Sequence, residues 1–329
     1  MWPRKLVLAQ VHTPLQRVAA LDSLLGCELW VKRDDMTGGP EAGNKIRKLE
    51  YLLAAALDAG ASTVITCGGV QSNHARATAI VARRLGLEPV LVLRTPDGQP
   101  PAAPWQGNLL LDALVGAEIR FITPDQYAQR DAIMQVIAAE LGRSGRQAYV
   151  IPEGGSNGLG ALGYVDAMGE VRAQQDADPS GVPARFDLIV HACGSGGTAA
   201  GIGIGARLHG IADDVLAVAV CDDREYFEHK VAAIQHAAFE LMGVPTRESA
   251  KVRVVDAWKG PAYGVPSAEQ VELIETVARR SGLILDPVYS GKAMFALAQL
   301  TDKPRRALFV HTGGLPGLLA EAARFTPNG

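Results

Sequence analysis

Apolar positions follow two alternating rhythms along most of the 329-residue chain. Short unbroken runs such as Thr63-Val64-Ile65-Thr66-Cys67 read as buried strands. Longer stretches with apolar residues three and four apart, such as Leu49, Leu52, Leu53, Ala56 and Leu57, read as amphipathic helices. Taken in order, the pattern predicts a helix over Leu49–Leu57 stopped by Gly60, a strand over Thr63–Cys67 and a helix over His74–Leu85. A strand over Pro89–Leu93, a helix over Leu109–Val115, a strand over Glu118–Ile122, a helix over Asp125–Leu141 and a strand over Ala148–Ile151 follow. Later strands are expected at Asp187–Cys193, Val215–Cys221, Val252–Val255 and Ala307–His311, with helical stretches between most of them. Strands alternating with helices imply parallel sheets covered on both faces, so the fold class is α/β.

Two breaks interrupt this alternation. Residues 95–105 (TPDGQPPAAPW) read as an excursion loop within a sheet, and residues 174–185 (QQDADPSGVPAR) as either a domain boundary or a long surface loop. Composition changes the picture only by exclusion. With 48% hydrophobic and 20% charged residues, the chain is not disordered. A net charge of −3 with scattered Lys and Arg offers no nucleic-acid surface. No apolar run approaches the ~20 residues of a membrane helix. The N-terminus, MWPRKLVLAQVHTP, lacks a signal-peptide pattern, so no membrane association and a cytoplasmic location are expected. Cys27, Cys67, Cys193 and Cys221 are far apart and without metal-ligand spacing; they are read as buried free thiols, and no metal is expected.

Candidate chemistry sits where strands end and helices begin, the place α/β proteins use for ligands. In Gly43-Asn44-Lys45-Ile46-Arg47-Lys48-Leu49-Glu50, Lys45 opens a helix. The positive end of the helix dipole disfavours an ammonium there and helps a neutral amine able to attack a carbonyl; the alternative is a solvated surface lysine. In Cys67-Gly68-Gly69-Val70-Gln71-Ser72-Asn73-His74, Ser72 and Asn73 read equally as helix caps or as part of an anion cradle. Gly194-Ser195-Gly196-Gly197-Thr198 follows a strand, and its backbone N–H groups and hydroxyls form a candidate phosphate cup. The spacing Gly201-x-Gly203-x-x-Ala206 mimics a dinucleotide motif but falls inside a helix, so it is set aside. Leu285-Asp286-Pro287-Val288-Tyr289-Ser290-Gly291-Lys292 and His311-Thr312-Gly313-Gly314 complete the set.

Taken together, these segments resemble the D-cysteine desulfhydrase and 1-aminocyclopropane-1-carboxylate (ACC) deaminase family, pyridoxal-phosphate enzymes of the tryptophan-synthase-β fold group. The resemblance runs from about Thr13-Pro14-Leu15 to Gly314 and includes Lys32-Arg33-Asp34-Asp35. It implies a fold type II architecture: two domains with parallel-type sheets flanked by helices, and pyridoxal 5'-phosphate in the cleft between them. Residues 1–48 and 161–329 would form the large cofactor-binding domain and residues 49–160 a smaller inserted domain. By the family pattern, Lys45 would hold the cofactor covalently, Asn73 would lie near its 3-hydroxyl, and Gly194, Ser195, Gly196, Gly197 and Thr198 would hold its phosphate. Thr312 would face the pyridine nitrogen, with Ser290 beside it. Ser72 would contact the substrate carboxylate, Tyr289 would stand near the reacting carbon, and Tyr263 would be a second active-site tyrosine. A homodimer acting on a small amino-acid substrate is implied as well.

The implied reaction is elimination of a β-substituent, D-cysteine giving pyruvate, sulfide and ammonia, with L-cysteate, dehydratase and racemase chemistry as alternatives within the class. Outside it stands a non-catalytic phosphate-binding α/β protein. Two departures bear on the substrate. ACC deaminases carry Glu after the motif tyrosine where this chain has neutral Ser290. Ser290 and Thr312 supply no charge to deepen the electron sink, which favours elimination of a good leaving group over ring opening. Before the lysine, Thr37-Gly38-Gly39-Pro40-Glu41-Ala42-Gly43 replaces an apolar stretch and a Gly-Gly pair, and Glu41 and Ala42 are expected to reshape the pocket beside Lys45.

Overall fold

The computed structural model describes residues 2–244 and 249–325. Ten strands and twelve α-helices alternate along it. The chain begins β1 (Leu15–Arg17), α1 (Asp22–Leu25), β2 (Glu28–Lys32), α2 (Asn44–Asp58), β3 (Thr63–Gly69), α3 (Asn73–Arg84) and β4 (Glu88–Arg94). It continues α4 (Gly107–Leu114), β5 (Glu118–Ile122), α5 (Pro124–Tyr127), α6 (Arg130–Arg143), β6 (Ala148–Val150), α7 (Gly158–Ala177), β7 (Leu188–Cys193) and α8 (Gly197–Leu208). It ends β8 (Asp214–Ala219), α9 (Arg224–Met242), β9 (Lys251–Val255), α10 (Ala268–Ser281), α11 (Ser290–Gln299), β10 (Arg306–Val310) and α12 (Leu315–Ala320).

The strands form two sheets. One has six strands in the order β1-β2-β10-β7-β8-β9 and the other four in the order β5-β4-β3-β6. Every pairing is parallel except β1 with β2. Strands buried on both faces need near-continuous apolar sequence, and Leu188–Cys193 is buried at every position. The four-stranded sheet is drawn wholly from residues 63–150, while the chain before and after supplies the six-stranded one. The expected domain limits at 48/49 and 160/161 fall inside α2 and α7, two helices that pack on each other. Residues 174–185 comprise the end of α7 and the loop leading to β7 within the six-stranded unit, which decides that open question in favour of a surface loop.

Two local differences from the periodic reading stand out. The helix expected over Asp125–Leu141 is divided: a capping box of Thr123 and Gln126 opens the short α5, and α6 starts afresh at Arg130. The strands β1 and β2 were not anticipated. Glu28-Leu29-Trp30-Val31-Lys32 is short and bounded by charges, and it becomes a strand through its pairing with β10 on one side and β1 on the other.

A buried ion cluster joins these layers beneath α2. The Arg47 guanidinium donates to Asp34 at 2.7 and 2.8 Å and to Glu170 at 2.9 Å. Lys32 Nζ donates to Glu170 at 2.5 Å, and the hydroxyls of Tyr164 and Thr13 donate to Asp34 at 2.7 and 2.8 Å. The Lys32-Arg33-Asp34-Asp35 motif therefore serves, through Lys32 and Asp34, to fix α2 against α7, two residues from Lys45.

Candidate active site

The carboxyl ends of β3 and β7 and the start of α2 converge on Lys45. Gly43 caps α2 with φ +125°, and a Cβ there would lie 2.8 Å from the Thr312 carbonyl oxygen. That carbonyl accepts the Asn44 N–H at 3.1 Å, and Asn44 Nδ2 donates to Thr198 Oγ1 at 3.0 Å. Glycine at 43 is thus required both by backbone conformation and by space. Lys45 lines a narrow recess with Asn73, Gly194, Ser195, Gly196, Thr198, Tyr289 and Thr312. It also lines a neighbouring cavity of about 460 Å³ that reaches Ser72, Arg94, Glu153 and Tyr263. Burial lowers the Lys45 pKa to about 8, against weak opposing effects of Cys193 and Glu153, so a useful fraction is neutral amine near neutral pH.

The Gly194–Thr198 turn is shaped as a cup. Gly196 adopts φ +85° at the start of α8, and a Cβ on Gly194 would sit 3.0 Å from the Tyr289 ring. A Cβ on Gly197 would lie 2.7 Å from Ser156 Oγ and 2.9 Å from Lys48 Nζ. The Gly197 N–H donates to Ser156 Oγ at 3.2 Å, and the Ser156 and Ser195 hydroxyls are 2.7 Å apart. Lys48 Nζ donates to Gly154 O at 3.1 Å and to Ser156 Oγ at 3.2 Å. Burial first, then the nearby Lys45, holds its pKa well below the ordinary lysine value.

Lys48 and Ser156 escaped the sequence reading. Lys48 stood inside a quoted motif without a role, one turn after Lys45. Ser156 lies in Pro152-Glu153-Gly154-Gly155-Ser156, another glycine-rich run at the end of a strand, and that was the available signal.

Ser72 caps α3 by accepting the Ala75 N–H at 3.1 Å and also lines the larger cavity. Asn73 Oδ1 accepts from Asn108 Nδ2 at 3.1 Å, and its neighbour His74 is held by Thr66 Oγ1 at 2.9 Å. Burial and then the charges of Lys45 and Lys48 keep His74 neutral. The Tyr263 and Tyr289 hydroxyls are 2.6 Å apart. Burial pushes the Tyr263 pKa up to about 12 and raises that of Tyr289 well above its ordinary value, so both hydroxyls keep their protons.

Ser290 stands apart from the other candidates. Its hydroxyl donates to Asp286 Oδ1 at 2.5 Å and accepts the Asp286 N–H at 2.8 Å, and it lines neither the recess nor the cavity. The expectation for Glu41 and Ala42 needs correction too. The Glu41 carboxylate pairs with both terminal nitrogens of Arg84, at 2.5 and 2.7 Å, and the Ala42 carbonyl accepts from Arg76 at 2.7 Å. Both residues tie the loop to α3, and neither faces the recess or cavity beside Lys45.

A buried lysine poised toward its neutral form, a glycine cup with hydroxyl and N–H donors, and a threonine at a strand end suit a phosphorylated aldehyde with a heteroaromatic ring. The chain belongs to the family described as pyridoxal-phosphate dependent enzymes, whose profile matches residues 7–313. Pyridoxal phosphate is its cofactor, and Lys45 with the Gly194–Thr198 cup fits that group. A putative ACC deaminase of Thermotoga maritima is 45% identical, covering 95% of this chain and 96% of its own. A mitochondrial bifunctional D-cysteine desulfhydrase/ACC deaminase of Arabidopsis thaliana is 42% identical, over 94% of this chain and 78% of its own. The D-cysteine desulfhydrase of Yersinia pestis is 38% identical, over 94% and 93%. The crystal structure of an ACC deaminase homologue superposes with a TM-score of 0.86 at 38% identity, over 98% and 95%. Among the described residues no helix is long and apolar enough to cross a membrane.

Proposed function

We propose that this enzyme is a carbon–sulfur lyase that eliminates the β-substituent of a small amino acid, with D-cysteine and water giving pyruvate, hydrogen sulfide and ammonia. The cofactor, when bound, draws electron density from the α-carbon of an amino acid joined to it. Every other part belongs to the chain. Lys45 Nζ would hold the cofactor and, as a neutral amine, would take the α-proton of the substrate. Ser72 binds the substrate carboxylate at the start of α3, Asn73 orients the cofactor hydroxyl, and Thr312 faces the ring nitrogen. Gly194–Thr198 would hold the phosphate, and Lys48 adds an N–H donor one helical turn from Lys45.

The observation that carries the reading is the hydroxyl pair of Tyr263 and Tyr289, 2.6 Å apart and both protonated, in the cavity that also receives Lys45. A proton donor opposite the base suits departure of a thiolate, which takes the bonding electrons and is protonated as it leaves. ACC deamination is the second reading, favoured by the names of several relatives. Against it, the residue after Tyr289 is a neutral serine bound to Asp286.

The test is 2-oxoacid formation by the cofactor-loaded enzyme from D- and L-cysteine, β-chloro-D-alanine, L-cysteate, D- and L-serine and ACC. Pyruvate is expected from D-cysteine and β-chloro-D-alanine. Release from L-cysteate alone, or 2-oxobutyrate from ACC, overturns the substrate, and silence across the panel overturns the reaction class.

A further inference from the structure

The motif that begins at Asp286 ends on a residue that the proposed reaction does not use. Lys292 lies one helical turn after Tyr289 on α11, and its side chain is completely buried. It forms no ion pair among the described residues. Instead its Nζ donates to the carbonyl oxygens of Lys259 at 2.5 Å and Ala262 at 3.3 Å. A buried lysine held only by carbonyls gives up much solvation, and burial lowers its pKa to about 8. Such an arrangement is costly as mere packing.

One of the carbonyls it holds opens the turn that carries Tyr263, and the other lies three residues before it. Ala262 O also accepts the Val265 N–H at 3.1 Å, closing Ala262-Tyr263-Gly264-Val265, with Gly264 at φ +79°. Gly260, at φ +77°, leaves room for the ammonium, since a Cβ there would stand 3.3 Å from Lys292 Nζ. Tyr263 is the second residue of this turn, and its hydroxyl meets that of Tyr289. The beginning of α11 therefore grips the turn at two points, through Tyr289 at the tip of the Tyr263 side chain and through Lys292 at the backbone. Asp286 fixes the helix start itself, accepting the N–H groups of Val288, Tyr289 and Ser290 at 2.8 to 3.0 Å.

We propose that Lys292 is the positioning residue for Tyr263, holding the 259–262 carbonyls so that the tyrosine hydroxyl stays in register with Tyr289 and the substrate. This inference rests on the proposed part of Tyr263 in the reaction. Loss of the grip moves the hydroxyl while leaving Lys45 and the phosphate cup untouched, and misplacement of a catalytic group by about 1 Å costs roughly 100-fold in rate.

The experiment compares Lys292→Met, Tyr263→Phe and the double variant as holoenzymes, with the panel substrate that the wild type consumes. The methionine variant is expected to keep its cofactor absorbance and to lose about 10- to 100-fold in kcat, with KM changed far less. The double variant is expected to be no slower than Tyr263→Phe alone, because the two changes act through one group. Hydrogen exchange over residues 258–266 is expected to accelerate in Lys292→Met. Multiplicative losses in the double variant, an unchanged kcat, or unchanged exchange in that segment each overturn the proposal. If Tyr263→Phe alone keeps full turnover, the tyrosine's part fails and the role of Lys292 falls with it, whereas the panel result still stands. Should the methionine variant not fold, Lys292→Arg keeps donors for both carbonyls. Its kcat is then expected within about threefold of wild type, and a loss as large as that of Tyr263→Phe overturns the assignment.

Discussion

At the scale of single residues, Lys45 shows how burial does chemical work. An ordinary lysine near pKa 10.4 is about 0.04% neutral at pH 7, whereas one near 8 is about 10% neutral. Only the neutral amine attacks an aldehyde. The rate at which the apoenzyme takes up pyridoxal phosphate covalently should therefore rise with pH and level off above about 8, followed by cofactor absorbance. A rise continuing toward pH 10 would refute the burial argument. Lys45→Ala should abolish the borohydride-sensitive absorbance altogether. A cation at a helix start is out of place, but local sequence left a solvated lysine open, and it was the family resemblance that singled out Lys45. Lys48 and Ser156 were not singled out: nothing local marks Lys48, and Ser156 had only its glycine-rich run; only the approach of α2 to the segment after β6 brings them to Gly197.

At the scale of elements, the periodic pattern located helices and central strands well because it reports burial on one or both faces. It failed where an element depends on a partner, as with β2, or where the helix is briefly interrupted while the apolar period continues, as between α5 and α6. The Gly201-x-Gly203-x-x-Ala206 spacing has a packing cause. A Cβ on Gly201 would collide with the Ala161 carbonyl of α7, and one on Gly203 would stand 2.6 Å from Val252 Cγ2. Gly201→Ala gains up to about 1 kcal/mol in helix propensity, but overpacking costs about 1–3 kcal/mol. A net loss of stability is expected in urea denaturation, with cofactor bound normally by the folded fraction. A stabilised variant would show that α7 and α8 are not in close contact there.

At the scale of the whole molecule, the buried cluster of Lys32, Asp34, Arg47 and Glu170 fixes where α2 lies. Burial alone would raise both carboxyl pKa values, but the Arg47 guanidinium prevails and holds Asp34 below 3.8 and Glu170 below 4.5. Groups with lowered folded-state values contribute stability that is complete above the unfolded values and lost as pH falls through the folded ones. Acid unfolding should accordingly set in below about pH 4.5, followed by circular dichroism. Asp34→Asn leaves the buried Arg47 charge undercompensated and should cost about 3–5 kcal/mol, with a weaker dependence on acid. An unaltered midpoint would mean that the cluster does not bear on stability.

Sequence by itself determined the α/β class and the strand ends that carry glycine-rich turns, because each follows from local periodicity or backbone freedom, while Lys45 was singled out by the family resemblance. Tertiary structure alone decided which turns meet. It turned Glu41 away to Arg84 and Ser290 to Asp286, added Lys48 and Ser156 beside the cup, and set Tyr263 against Tyr289 from a loop 26 residues away. These are contacts between segments distant in the chain, and local sequence holds no term for the distance between two such segments once they have packed.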